Sequence, residues 1–351
     1  MNLQKYLRNI ALLLSATFAL TACDGMIYDD EGDCDPYYKV RFVYENNLKF
    51  TDAFHNEVFE VTLYAVDPAS GQIVWQKHES GDELRRQGYL MDVDIDPGRY
   101  TLIAWCGEGH KTSFSVADAT VHTGLRCHLD DRTSLGDGTA TVSNELKRLY
   151  HGKEENVEFE DEQGTHIKTV YLTKDTNAVH IVLQQLSGES IDHRDFTFTI
   201  EGENGFMDWD NSLLPDEKLV YMPHDTYSGI AGVDVPDYTD DSDAPAGRAI
   251  IQVGAAVAHH TESRLVKGQD VRVKIYNKAT GDCIVSVPLI DYALLVKGKY
   301  TRPDGKPLTD QEYLDYQDDY SMVFFLDDGM RWINTDIYIN SWHVVLQHTD
   351  L

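Results

Sequence analysis

From residue 37 onward, apolar and polar side chains alternate in short runs, the period of half-buried β-strands. Over 40–44, Val40, Phe42 and Tyr44 share one face. Over 58–66, Phe59, Val61, Leu63 and Ala65 do the same. The turn cluster Asp67-Pro68-Ala69-Ser70-Gly71 and an extended run at 73–78 follow, which predicts a hairpin. Residues 89–95 turn Met91, Val93 and Ile95 one way and Asp92 and Asp94 the other. After Asp96-Pro97-Gly98, the run 100–106 is apolar on both faces, with Tyr100, Leu102 and Cys106 against Ile103 and Trp105. That pattern predicts a central strand covered on both sides.

The second half continues in the same way. Strands are predicted at 167–173, 179–184, 196–200, 250–258, 271–276 and 284–289, the last two joined through Thr280-Gly281-Asp282. Asp327-Asp328-Gly329 between 322–326 and 331–334 signals another hairpin. The chain closes on 337–347, a long, mostly apolar stretch interrupted at Asn340 and Ser341. Helical signals are few. Residues 82–87 fit a single turn, and 143–151 fits a short helix with Ser143 as N-cap and Leu146 and Leu149 three apart. Residues 154–162 are acidic and poor in apolar side chains, which sets a domain boundary near Thr165. The expectation is an all-β chain: domains at 37–165 and 166–351, each a β-sandwich, with a few short helices.

The amino terminus departs from this pattern. Lys5 and Arg8 precede an apolar run, 10–20, that is too short to span a bilayer. Small residues then lead to Leu20-Thr21-Ala22-Cys23. This is the layout of a secretory signal, residues 1–22. Its end resembles the lipobox of bacterial lipoproteins, which implies lipid attachment at Cys23. Two or three acyl chains, at ~0.8 kcal/mol per buried methylene, hold a protein to a membrane durably. Residues 23–36 then read as an acidic tether.

Charge narrows the partners. The formal net charge is −29. Loss of residues 1–22, which carry two cations and no acid, makes it more negative still. Such a surface repels phosphate backbones, so no nucleic-acid partner is expected. Glycine-rich phosphate loops, HExxH, GxSxG and EF-hand patterns do not occur. No enzyme activity, cofactor or metal is therefore expected. His259-His260 is the one adjacent histidine pair, and neighbours on a strand face opposite ways. Asp240-Asp241-Ser242-Asp243 reads as a solvated loop without ligand spacing, and Asp92, Asp94 and Asp96 as the polar side of a strand and turn. With Cys23 lipidated, Cys34, Cys106, Cys127 and Cys283 remain, and four cysteines allow three full pairings. Cys106 with Cys127 is the leading candidate disulfide, against buried free thiols. Trp75, Trp105, Trp209, Trp332 and Trp342 could stack on sugars, although Trp105 reads as core.

Several stretches share a resemblance. Val40-Arg41-Phe42-Val43-Tyr44, followed by Asn46 and Asn47, resembles the first strand of FimB-type fimbrial anchor lipoproteins of type V fimbriae. Asp96-Pro97-Gly98-Arg99-Tyr100 leading to Ala104-Trp105, Leu172-Thr173-Lys174-Asp175-Thr176-Asn177, and Asn340-Ser341-Trp342-His343-Val344-Val345-Leu346-Gln347 resemble further segments of that family in order. The resemblance implies transthyretin-like Greek-key sandwiches. It implies an outer-membrane lipoprotein that holds the base of a fimbrium, limits its length and joins a fimbrial stalk subunit by strand donation. The candidate stalk contact is Asn340, Ser341, Trp342, Val344 and Leu346 within 336–351. The competing reading is a surface glycan-binding lipoprotein of a nutrient importer.

Overall fold

A computed structural model describes residues 35–345 except 110–111, 186, 188, 237–247 and 334–335. In chain order come β1 (Pro36–Val43), α1 (Phe54–Glu57), β2 (Glu60–Val66), β3 (Ile73–Ser80), β4 (Met91–Val93) and β5 (Gly98–Gly107). An excursion of short strands follows: β6 (Phe114–Val116), β7 (Cys127–Leu129), β8 (Thr133–Ser134) and β9 (Thr139–Val142). Next are β10 (Leu149–Phe159) and β11 (Gly164–Lys174). Past Asp175 lie β12 (Thr176–Gln185), β13 (Phe196–Gly202), β14 (Phe206–Met207), β15 (Lys218–Tyr221), β16 (Asp225–Pro236), β17 (Arg248–Ser263), β18 (Arg272–Asn277) and β19 (Cys283–Pro288). Helices α2 (Leu289–Leu294) and α3 (Asp310–Tyr316) precede β20 (Asp319–Leu326), β21 (Asp336–Ile339) and β22 (Trp342–Val345). The protein is all-β with a few short helices. Among the described residues, no helix is long and apolar enough to cross a membrane.

The strands build a first sheet, β3-β2-β5-β10-β11-β1-β4, a second, β16-β17-β12-β20-β21-β22, and a third, β19-β18-β13-β15-β9-β8. A small sheet, β14-β7-β6, completes them. One face of the first sheet forms its own core from Val40, Phe42, Val61, Leu63, Leu102 and Ala104, covered by Phe54 and Leu84. The other face presents Tyr64, Val66, Ile103 and Trp105 to a larger core that runs through the second and third sheets. The two-sided pattern of β5 is thus met in full: it lies between β2 and β10 and feeds both cores.

Three expectations change. Residues 143–148 form no helix. The backbone N–H groups of Leu146 and Lys147 donate to Thr261 Oγ1 (2.7 Å) and Ser113 Oγ (2.9 Å), so distant side chains take the bonds a helix would have used. Leu149 then opens β10, with Leu149 facing the larger core and Tyr150 the first. The acidic run 154–162 is not a linker, because most of it is the outer half of β10, paired with β5 through Phe159↔Gly98. Its lack of apolar residues reflects an exposed stretch of strand. Finally, the boundary near Thr165 falls inside a sheet. β11 pairs with β10 and β1, and the chain changes sheets at Asp175. The excursion 133–142 joins the third sheet through the parallel pair β9–β15. At Gly152, where β10 packs on β11, a Cβ would lie 2.6 Å from Val170 Cγ1, so only glycine fits.

Asp175 holds the changeover. Its fully buried carboxylate accepts from Asn211 Nδ2 (2.9 Å) and Arg264 Nη1 (2.6 Å). Burial pushes its pKa up to about 6 although Arg264 and Asn211 pull it down. Arg264 also pairs with Asp315 (2.9 Å), Lys174 with Asp318 (2.5 Å), and Asn177 donates to Ser263 O (3.2 Å). The segment 172–177 is therefore a polar latch joining the first sheet to the second.

Candidate functional site

The first and last strands of the described residues differ in how their edges are used. β1 lies inside the first sheet, parallel to β11 from Pro36↔Gly164 to Val43↔Tyr171 and antiparallel to β4 from Tyr38↔Val93 to Val40↔Met91. Tyr38, Val40 and Phe42 are buried, and Phe42 stacks on Phe54 at 5.6 Å. The amino-terminal strand thus fills its place in the sheet.

β22 lies at the edge of the second sheet. β20 runs parallel to β12, β21 antiparallel to β20, and β22 antiparallel to β21 with Ile339↔Trp342 next to the turn. The described part of this run, 337–345, is therefore two strands joined by a two-residue turn. Asn340 and Ser341 have φ of +48° and +68°, as a two-residue hairpin of the primed type requires. Asparagine tolerates this conformation, and here it is also tied down. Asn340 N donates to Ser321 O, and Ser321 N donates to Asn340 Oδ1, both at 2.8 Å. Asn340 Nδ2 donates to Tyr313 Oη at 3.2 Å. Ile337 and Ile339 are fully buried, and Val344 packs half-buried on the larger core. Trp342 is 42 % exposed, with Lys299 Nζ 4.9 Å from the ring centroid. Among the described residues, β22 pairs only with β21. Its outer N–H and C=O groups have no strand partner among the described residues, and an edge of this kind can template another strand.

Residues 30–348 match the family profile of fimbrillin-A associated anchor proteins Mfa1 and Mfa2. The chain belongs to this anchor family. A candidate adhesin of Bacteroides thetaiotaomicron VPI-5482 is 30 % identical, with a TM-score of 0.75 over 91 % of this chain and 100 % of that one. A candidate polysaccharide-binding protein of the same organism is 27 % identical, with a TM-score of 0.71 over 89 % and 99 %. The fimbrial anchor protein Mfa2 of Porphyromonas gingivalis shares the fold at 15 % identity, with a TM-score of 0.61 over 90 % and 100 %. The sequence matches no curated protein.

Within this anchor-family fold, the candidate contact residues do different work. Asn340 and Ser341 shape the hairpin, Val344 seats it, and Trp342 presents a large ring to solvent. Leu346 and Cys23 lie outside the described residues, as does the cluster at 240–243. The candidate disulfide is not formed. Cys106 and Cys127 are free and buried, Cys106 in the core of the first sheet and Cys127 in the larger core. Burial pushes both thiols well up, keeping them protonated and unreactive.

The remaining candidates scatter. Trp105 is core, Trp209 and Trp332 pack against the larger core, and Trp75 packs against the first. Asp92 is exposed and pairs with Lys39, while Asp96 O accepts from Tyr100 Oη at 2.9 Å. His260 points inward and is fully buried. His259 points outward and meets His180 of β12. Burial and the neighbouring His180 hold His259 below the usual imidazole range. Sequence reading missed Lys299 beneath Trp342 and Tyr313 beneath Asn340, because both partners come from segments far away in the chain. The hairpin itself was visible as Asn-Ser between two apolar pairs.

Proposed function

We propose that this anchor-family chain is an outer-membrane lipoprotein, anchored through Cys23, that holds the base of a fimbrium. We further propose that a stalk subunit adds a strand to the open edge of β22. The observation that carries this reading is the asymmetry of the terminal strands: β1 is paired on both sides and β22 on one. A strand laid along β22 would satisfy its free backbone groups, and Trp342 and Lys299 would flank it.

The strand directions suit a load-bearing role. Tension from a lipid at Cys23 would enter at Pro36 and leave the first sheet at Lys174. β1 and β11 are parallel, so this load shears eight register pairs together instead of opening them one by one. β12 and β20 repeat the arrangement in the second sheet, again with eight parallel pairs. Strand donation of this kind involves no catalytic group, which fits a structural protein.

Glycan capture is supported by the description of one structural neighbour. The aromatic residues argue against it. Of the five tryptophans, only Trp342 is strongly exposed, and a lysine covers its ring. Tyr37 and Tyr171 are exposed but lie six register positions apart, about 20 Å along the strands.

The test compares the mature protein with a truncation lacking residues 340–351 in pull-downs of stalk subunits. The full chain should capture them, and the truncation should stay folded and fail. A folded truncation that captures equally well would remove β22 as the joint. In parallel, Cys23→Ala should move the protein from the membrane to the soluble fraction. Unchanged membrane retention would remove the lipid anchor.

A further inference from the structure

Three imidazoles gather on the outer face of the second sheet. His180 of β12 stands directly opposite His259 of β17, and Asp225 of β16 is next in the same row. The Nδ1 atoms of His180 and His259 face each other in contact, with ring centroids 4.5 Å apart. The other nitrogen of His180, Nε2, lies 3.1 Å from Asp319 Oδ1 at the start of β20. His224 donates its backbone N–H to His259 O at 2.9 Å, and its ring centroid is 6.4 Å from that of His259. Tyr227 stands beside them, its ring 5.6 Å from His259. The side chain of His180 is 32 % exposed, so small ions can reach the row.

The Asp319 carboxylate fixes one tautomer. It holds the hydrogen of His180 on Nε2 and leaves the Nδ1 lone pair aimed at His259. A carboxylate behind a histidine whose free nitrogen points into a shared space is the usual second layer of a metal site. In the metal-free protein, a hydrogen on His259 Nδ1 bridges the two rings. When that hydrogen shifts to His259 Nε2, both Nδ1 lone pairs become available and no proton is lost overall. Adjacent antiparallel strands keep the rings at one height without any loop rearrangement.

We propose that His180 and His259 form a cross-strand clamp for a divalent transition-metal ion that prefers imidazole, such as Cu²⁺ or Zn²⁺. Asp319 is the positioning residue. Water completes the shell. Among the described residues, no three His, Cys, Asp or Glu side chains converge as ligands, so the clamp rests on these two imidazoles alone. The ion would staple β12 to β17, and through Asp319 it would reach β20 of the sheet that carries β22. His260 faces the core and takes no part.

The test uses tag-free protein, because a histidine tag would compete. Calorimetric titration with CuCl2 and with ZnCl2 should show one saturable site per chain, and Cu²⁺ electron paramagnetic resonance should show two nitrogen ligands. Melting temperature should rise with added ion. His180→Gln and His259→Gln should each abolish the two-nitrogen signature. Asp319→Asn should keep the stoichiometry and weaken affinity by roughly tenfold or more. Melting curves with EDTA check that each variant is folded. The proposal is overturned if the native chain shows no saturable site. It is also overturned if a folded His180→Gln/His259→Gln double variant binds as tightly, since the ion then sits on others of the 14 histidines.

Discussion

β1 and β22 are both strands at the ends of the described chain, yet they sit differently in their sheets. β1 is enclosed by β11 and β4 and buries Val40 and Phe42 in the core. β22 is four residues long, pairs with β21 alone among the described residues and exposes Trp342. A strand paired on both sides and buried on one face cannot leave without exposing both core and backbone. An edge strand of this length contributes little to stability and leaves its outer backbone groups free. Among the described residues, β1 is therefore held on both sides and β22 on one.

Phe42→Ala puts the greatest strain on this comparison. Loss of a buried ring stacked on Phe54 should cost about 3–5 kcal/mol in guanidinium unfolding. Trp342→Ala should stay within about 1 kcal/mol, since the ring is exposed and what is lost includes a cation–π contact with Lys299. Equal costs would erase the difference between the two strands.

Acid comes next. His151, in the first sheet, and His260, in the second, are both held down to about 3 by burial. An unfolded histidine titrates near 6.5, so the unfolded chain takes up protons first. Their contribution is present above about pH 6.5 and is lost as the pH falls toward 3. Each steepens the loss by up to about 1.4 kcal/mol per pH unit. Asp175 acts the other way. Its raised pKa contributes stability below about pH 4, which is lost as the pH rises through about 6. His151 Nε2 donates to Trp209 O at 2.9 Å, whereas the ring of His260 makes no hydrogen bond of normal geometry. His260→Leu should therefore flatten the acid limb at little cost near neutral pH, and His151→Leu should flatten it at a larger cost. Denaturant midpoints from pH 7 to 4 read both.

The hairpin turn gives smaller effects than the loss of Phe42. Asn340→Ala removes the Oδ1 acceptor for Ser321 and places alanine at a positive φ, which should cost about 1–2 kcal/mol. Ser341→Gly relieves a serine at φ +68° and should gain about 1 kcal/mol or less. A stabilised hairpin that captures stalk subunits more tightly would show that β22 acts as a preformed template.

Much of the first sheet was legible in the sequence. The alternation in β1, β2 and β4 gave the inward faces correctly. The two-sided apolar pattern of β5 gave its central position, because burial on both faces leaves a strand no polar positions. The hairpins at 67–71 and 280–282 followed from turn chemistry alone. The spacing of Leu146 and Leu149 misled, because a three-residue interval fits a helix as well as a loop entering a strand. The helix α3 carried a readable signal, Thr309 and Glu312 forming a capping box, yet it went unread among the strands.

Alternation and turn residues act between neighbours in the chain, and those local forces fixed an all-β protein with an ordered series of hairpins. Contacts between distant segments lay beyond them. The parallel pair β1–β11, the enclosure of Asp175 by Arg264 and Asn211, and the meeting of His180 with His259 join residues 36 to 128 positions apart. Bringing such residues together costs chain entropy that only the assembled cores repay, so tertiary structure alone decided which edge stayed open and which histidines met.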